Sequence, residues 1–236
     1  MNSDQTIEQN PNADGMEDLL ADFARGALDR GTELLVETCA AIKSDVADAV
    51  ADFETVGGSL LESIEPVAMK EGALDAVMAL IDQEPAPATT TPQAASAQKW
   101  RDDLDKLPQP LRHHAEEGLQ KASWRMLGRG IRGLDLSFLD PDRSGKIELY
   151  RIEPGCAVPR HGHEGGELTL VITGAFKDET GRYGPGDIAA GGEDITHQPV
   201  AEAGETCLAL AVTNAPLKMT GALGLVQRLL GGSSKK

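Results

Sequence analysis

Three histidines and one glutamate are the residues of this 236-residue chain best placed to do chemistry. His161 and His163 stand two apart in a run that opens at Gly155 and closes at Gly174. Residues two apart in a strand point to the same side, so both imidazoles can reach one point. Glu167 follows the Glu164-Gly165-Gly166 turn, where the next strand should begin. His197 comes later, beyond the turn Gly184-Pro185-Gly186-Asp187, and must arrive on another strand. Three imidazoles and a carboxylate, with no thiolate among them, suit zinc, iron, manganese or nickel. The chain has only five histidines. Three of them beside a glutamate and framing glycines predict a divalent metal site rather than scattered surface or core histidines.

Short strands must hold these side chains. Leu134–Phe138, Lys146–Ile152, Leu168–Thr173, Ala175–Asp178 and Cys207–Thr213 lie between Gly, Pro and Asp turns, the pattern of a sandwich or barrel. A helix is expected around Arg112–Leu119, and an apolar helical segment over Ala222–Leu230. The front of the chain reads differently. Residues 1–15 have the composition of a disordered lead-in. Leu19, Leu20, Phe23 and Ala27 then fall at helical spacing, and a second helix is expected from Thr32 to Val56, ended by Gly57-Gly58. Leu60, Leu61 and Ile64 precede Pro66, and a further helix carries Leu74, Val77, Met78 and Ile81. The expected organisation is a lead-in over 1–15, a small helical bundle over 16–82, a Pro-, Ala- and Thr-rich linker over 83–98, and a β-barrel domain with peripheral helices over 99–236.

Charge separates the halves as well. The net charge is −16, and residues 1–82 hold 18 acidic against 4 basic groups. Phosphates need cations opposite them, so direct nucleic-acid binding by this third is not expected. A basic protein partner would be steered towards it, although a solvated acidic face would look the same. No apolar run is long enough to span a bilayer and no secretory leader precedes the first helix. A cytoplasmic location without membrane attachment follows as the expectation. Cys39, Cys156 and Cys207 are odd in number and form no C-x-x-C pair, which argues against a disulfide framework.

Gly155, His161, His163, Glu167 and Gly174 resemble the first motif of the cupins, and the Gly184–Asp187 turn with His197 resembles the second. The resemblance implies a jelly-roll barrel whose metal ligands are His161, His163, Glu167 and His197. A narrower likeness covers most of the chain. The stretches Gly155–Val171, Gly174–Asp187 and His197–Val200 are similar to the cupin half of ChrR-type anti-sigma factors. Asp18–Leu28, the helix of Leu35, Gly58–Pro66 and Gly72–Asp75 are similar to their helical half. Membership would imply a transcriptional regulator whose helical domain clasps an extracytoplasmic-function-type sigma factor. Its cupin domain would relay a stress signal, notably singlet oxygen, and both domains of the family bind zinc. Here the helical zinc motif, His-x3-Cys-x2-Cys, is degenerate. Its positions fall on Cys39, Lys43 and Val46, and no histidine precedes His113. Zinc, with iron or manganese as alternatives, is therefore expected in the cupin domain only.

Two functions of different class fit. A regulator would bind its sigma factor through the acidic helices, with Leu19, Leu20 and Phe23 as candidate contacts unless they form the bundle's own core. Cys156, five residues before His161, would be a possible redox residue, and the cupin domain a possible dimer interface. A metal-dependent cupin oxygenase or isomerase is the alternative, with no catalytic side chain evident beside the ligands. Cys39 and Cys207 read as packed thiols, and His113-His114 as an exposed helical pair facing different directions.

Overall fold

The computed structural model describes residues 13–82, 100–141, 145–192, 194–215 and 217–219. The expected linker and the apolar segment over Ala222–Leu230 lie outside them, as does nearly all of the expected lead-in. Four helices come first: α1 (Ala13–Ala24), α2 (Arg30–Ile42), α3 (Ser44–Glu62) and α4 (Ala73–Ile81). After a helical turn, α5, at 100–104, comes α6 (Leu111–Lys121). The rest is antiparallel strand. One sheet has six strands in the order β1 (Arg125–Gly128), β2 (Ile131–Asp135), β3 (Ile147–Ile152), β11 (Cys207–Thr213), β5 (Glu167–Thr173) and β8 (Ile188–Gly191). Two three-stranded sheets face the cavity side. One is β10 (Val200–Ala201), β6 (Phe176–Lys177) and β7 (Arg182–Tyr183); the other is β12 (Leu217–Met219), β4 (His161–His163) and β9 (Thr196–His197).

Both faces of the large sheet are covered. On β5 and β11, Leu168, Leu170, Leu208, Leu210 and Val212 belong to one apolar cluster, shared with Leu34, Leu35 and Val36 of α2. The alternating residues Val171, Cys207 and Ala209 belong to a second cluster with Ile152, Phe176 and Ala189. This is the period-two rule applied to a strand buried on both sides. The first cluster is continuous from α1 to β11, so the helices share a core with the barrel. Each fully buried Leu of α2 contributes about 1.5–3 kcal/mol by leaving water. Asp29 caps that helix through the Thr32 amide, at 3.0 Å.

The helical half departs from its sequence pattern at one place. The single helix expected from Thr32 to Val56 is two helices, broken at Lys43, whose backbone is extended (φ −116, ψ 114). Gly57-Gly58, expected to end it, lie inside α3, exposed on its surface. An exposed helical glycine costs only about 1 kcal/mol. The break at Lys43 coincides instead with a tertiary contact, for Gly186 of a distant turn sits against the side chain of that residue. Phe138, expected in a strand, lies in a 3-10 turn (Ser137–Leu139).

Close approach of α2 to the sheet depends on Gly31. A Cβ there would lie 2.8 Å from two side-chain carbons of Ile147 and 3.1 Å from Val212. Gly31→Ala should therefore destabilise the chain by about 1–3 kcal/mol through overpacking, read as a lower urea midpoint at unchanged slope.

Candidate metal centre

The four sequence-predicted ligands meet in one place. His161 and His163 occupy alternate positions of β4, which pairs with β9 so that His161 lies directly opposite His197. Glu167 opens β5 immediately after the Gly165-Gly166 turn and projects from the cavity face. One ligand atom from each of the four residues lies within 4.8 Å of the others, and all four residues are buried.

Outer contacts fix which nitrogens can bind an ion. The Nδ1–H of His161 donates to the Pro159 carbonyl at 2.9 Å, and that of His197 donates to the Asp178 carboxylate at 2.7 Å. Both partners only accept, so each ring presents a bare lone pair at Nε2. Those two Nε2 atoms face each other 3.1 Å apart, and His163 Nε2 is 3.1 Å from that of His197. Facing lone pairs repel, and a cation between them removes the repulsion. The spacing suits zinc–nitrogen bonds of about 2.0–2.1 Å. His163 Nδ1 is buried without a hydrogen-bond partner. The residues thus fit a divalent ion.

Burial tunes the same groups. It pushes the His163 imidazole down to about 4 and lowers that of His161, so both rings are neutral and able to ligate at physiological pH. It also pushes the Glu167 carboxyl up, against the pull of His197. A cation would stabilise that carboxylate. Asp178 behaves differently. Burial alone would raise its carboxyl, but donors from Thr180 and His197 hold it below the usual range.

Asp178 is a residue of the candidate centre that spacing alone does not flag. Its Oδ1 accepts from the Thr180 amide at 2.8 Å and hydroxyl at 2.6 Å, and from the Gly181 amide at 3.2 Å, leaving Oδ2 for His197. The Asp-x-Thr-Gly sequence signals such a turn; its aim at His197 exists only in three dimensions. Gly191 is a second such residue, because a Cβ there would lie 2.9 Å from His163 Nε2. Beside the histidines a cavity of about 50 Å³ is lined by Tyr150, Val158, Thr169, Phe176 and Ala209. It has room for a few waters.

The other candidates fall elsewhere. Leu20 is buried in the shared core, with Leu19 and Phe23 partly buried against it. Cys39 is buried, its S–H donates to the Gly186 carbonyl at 3.4 Å, and burial pushes its thiol up to about 11. Burial likewise pushes Cys207 up to about 12. Cys156 is half-buried in the turn before β4. His113 is exposed, whereas the ring of His114 meets Arg30 at 3.4 Å.

Asp178→Asn should weaken metal affinity about 10–100-fold, read by competition with a chromogenic chelator, because the orienting carboxylate of His197 is lost. Alkylation of the folded chain near neutral pH should modify Cys156 and leave Cys39 and Cys207 intact until denaturant is added, as peptide mass spectrometry would record.

A family model described as the ChrR cupin-like domain matches residues 115–217. The chain is 39% identical over 208 residues to the anti-sigma-E factor ChrR of Cereibacter sphaeroides, an alignment covering 87% of this chain and 91% of that one. In three dimensions it is similar to the crystal structure of Rhodobacter sphaeroides SigE in complex with the anti-sigma ChrR. That match has 36% identity, a TM-score of 0.65, and coverage of 84% of this chain and 96% of that one. With helices and metal-site barrel both inside these alignments, the chain belongs to the ChrR family of anti-sigma factors.

Proposed function

We propose that the chain sequesters a sigma factor of the extracytoplasmic-function type through its helical half. Release would follow oxidative stress of the singlet-oxygen kind, with the cupin half as a metal-loaded sensory or structural unit. The observation that carries this reading is an apolar surface left open on the helices. Eleven large apolar side chains between Val56 and Ile81 are 50–91% exposed. Scattered apolar residues need no explanation, but a continuous run does, and its usual meaning is a partner. The α4 helix buries none of its residues and has no side-chain cap. At nine residues it is far below the length at which an isolated helix persists in water. A partner that covers Leu74, Val77 and Leu80 supplies the missing packing.

Charge defines the other side of the contact. Glu54, Glu62, Glu65, Glu71, Asp75 and Asp82 surround the apolar run, with Lys70 the single base between residues 51 and 82. The fitting partner has an apolar groove rimmed by basic residues. The similar solved structure is itself a complex of ChrR with SigE. Leu19, Leu20 and Phe23 face the packed side of the bundle. We therefore place the contact on the α3–α4 surface.

Zinc is the ion this reading assigns. Three histidines and Glu167 supply four protein donors, which close a tetrahedral zinc site as structural sites are closed. The oxygenase or isomerase alternative needs a substrate beside the metal, and the adjoining cavity, at about 50 Å³, holds only a few waters.

The test uses the full chain, because a helical fragment alone would uncover Leu34, Leu35 and Val36. The chain and the sigma factor encoded beside it should form a one-to-one complex by gel filtration and titration calorimetry. Leu61→Glu and Leu74→Glu should each weaken it about tenfold or more, the scale of an interface hot spot. Thermal unfolding of the free chain should not change, since both side chains are exposed. Absence of a complex with the unmodified chain overturns the reading.

A further inference from the structure

Strand β8 touches both functional parts of the molecule. At one end, Gly191 pairs with Glu167 and packs on His163, where a Cβ would lie 2.9 Å from Nε2. At the other end, the Gly184–Asp187 turn rests on the joint between α2 and α3. A Cβ on Gly186 would meet the Lys43 stem at 2.5 and 2.6 Å and Ile42 at 3.3 Å. The Cys39 thiol donates to the Gly186 carbonyl at 3.4 Å, and Lys43 Nζ lies 3.9 Å from Asp187. Five residue steps separate the two ends, about 17 Å of extended chain.

The turn itself is stiff. Gly186 has φ +82, a conformation that glycine alone adopts without strain. Its amide donates to the Val171 carbonyl at 2.8 Å, and the Gly184 amide donates to the Asp187 carboxylate at 2.9 Å. β8 is held against β5 from Leu170–Ile188 to Glu167–Gly191. A shift of Glu167 or His163 therefore has a short, hydrogen-bonded path to Gly186. The receiving side has space to respond. An open groove of about 720 Å³, lined by Met16, Lys43, Asp45, Val46, Arg182 and Asp187, flanks the joint. Lys43 is the one extended residue between two helices, so movement there changes the angle at which α3 leaves α2.

We infer that β8 couples the metal centre to the α2–α3 joint, so that ion loading sets how firmly the joint is held and how α3 presents its apolar face. This rests on the reading above that α3 and α4 meet the partner. Loading orders Glu167 and His163 around the ion, β8 transmits that order, and Lys43 with Cys39 receives it. Loss of the ion loosens all three in turn.

Hydrogen exchange on the full chain, zinc-loaded against chelator-stripped, tests this without the partner. Amides of residues 39–47 should exchange more slowly when zinc is bound, by roughly 5–150-fold, the range of coupled sites. Lys43→Ala should abolish that difference while one zinc per chain is still bound. Gly186→Ala should do the same if it folds, and Lys43→Ala decides the matter if it does not. The inference is overturned if zinc protects β4 and β9 but leaves residues 39–47 unchanged, or if Lys43→Ala keeps the full effect. Titration with the sigma factor separates the two proposals. A joint that tightens with zinc in a chain that binds no sigma factor removes the proposed function and leaves the coupling standing.

Discussion

The burial of one sheet on both faces is the constraint from which the rest of the molecule follows. On β5 and β11 the leucines face the helices, while Val171, Cys207 and Ala209 face the barrel. The helix-side residues hold α2 in place; on the barrel side Ala209 lines the cavity beside the candidate metal ligands. Glu167 lies on the same strand as Leu168. Glu167 and the seat of the helical bundle are thus set by adjacent residues of one segment, and a one-residue slip would lose both.

From that frame the chemistry of the centre is local. Pro159 and Asp178 fix the proton on the outer nitrogens of His161 and His197. With both rings neutral, the Nε2 lone pairs point inward. Burial keeps the rings of His161 and His163 neutral, which suits a cation. The helical half carries the opposite imbalance. Its apolar run is exposed instead of buried, and its short α4 buries none of its residues among those described. One half is complete in its donors, while the other is incomplete in its packing.

The parts of this that were legible in the sequence are the parts with short-range causes. His-x-His with a glycine turn and a glutamate needs only the period of a strand, and all four ligands converge as that pattern predicts. The strands at 147–152 and 207–213 were legible for the same reason. The break at Lys43 was not; it coincides with a contact to a turn more than a hundred residues away. Nor was Asp178, whose role depends on where a turn points. Apolar spacing in α1 matches a core and a binding face equally well; only packing shows that Leu20 is inside while Leu61 and Leu74 are outside.

The absence of room at Gly31 has a wider meaning. Ile147 and Val212 come so near the start of α2 that helix and sheet are shaped to each other atom by atom. Such a chain cannot be treated as two cassettes. A bundle with a different sigma preference, grafted onto this barrel, would arrive with a surface that does not match Leu168, Leu170 and Leu210. If the partner is met as proposed, a new specificity is reached more readily by altering the exposed residues of α3 and α4 than by exchanging the helices that anchor them.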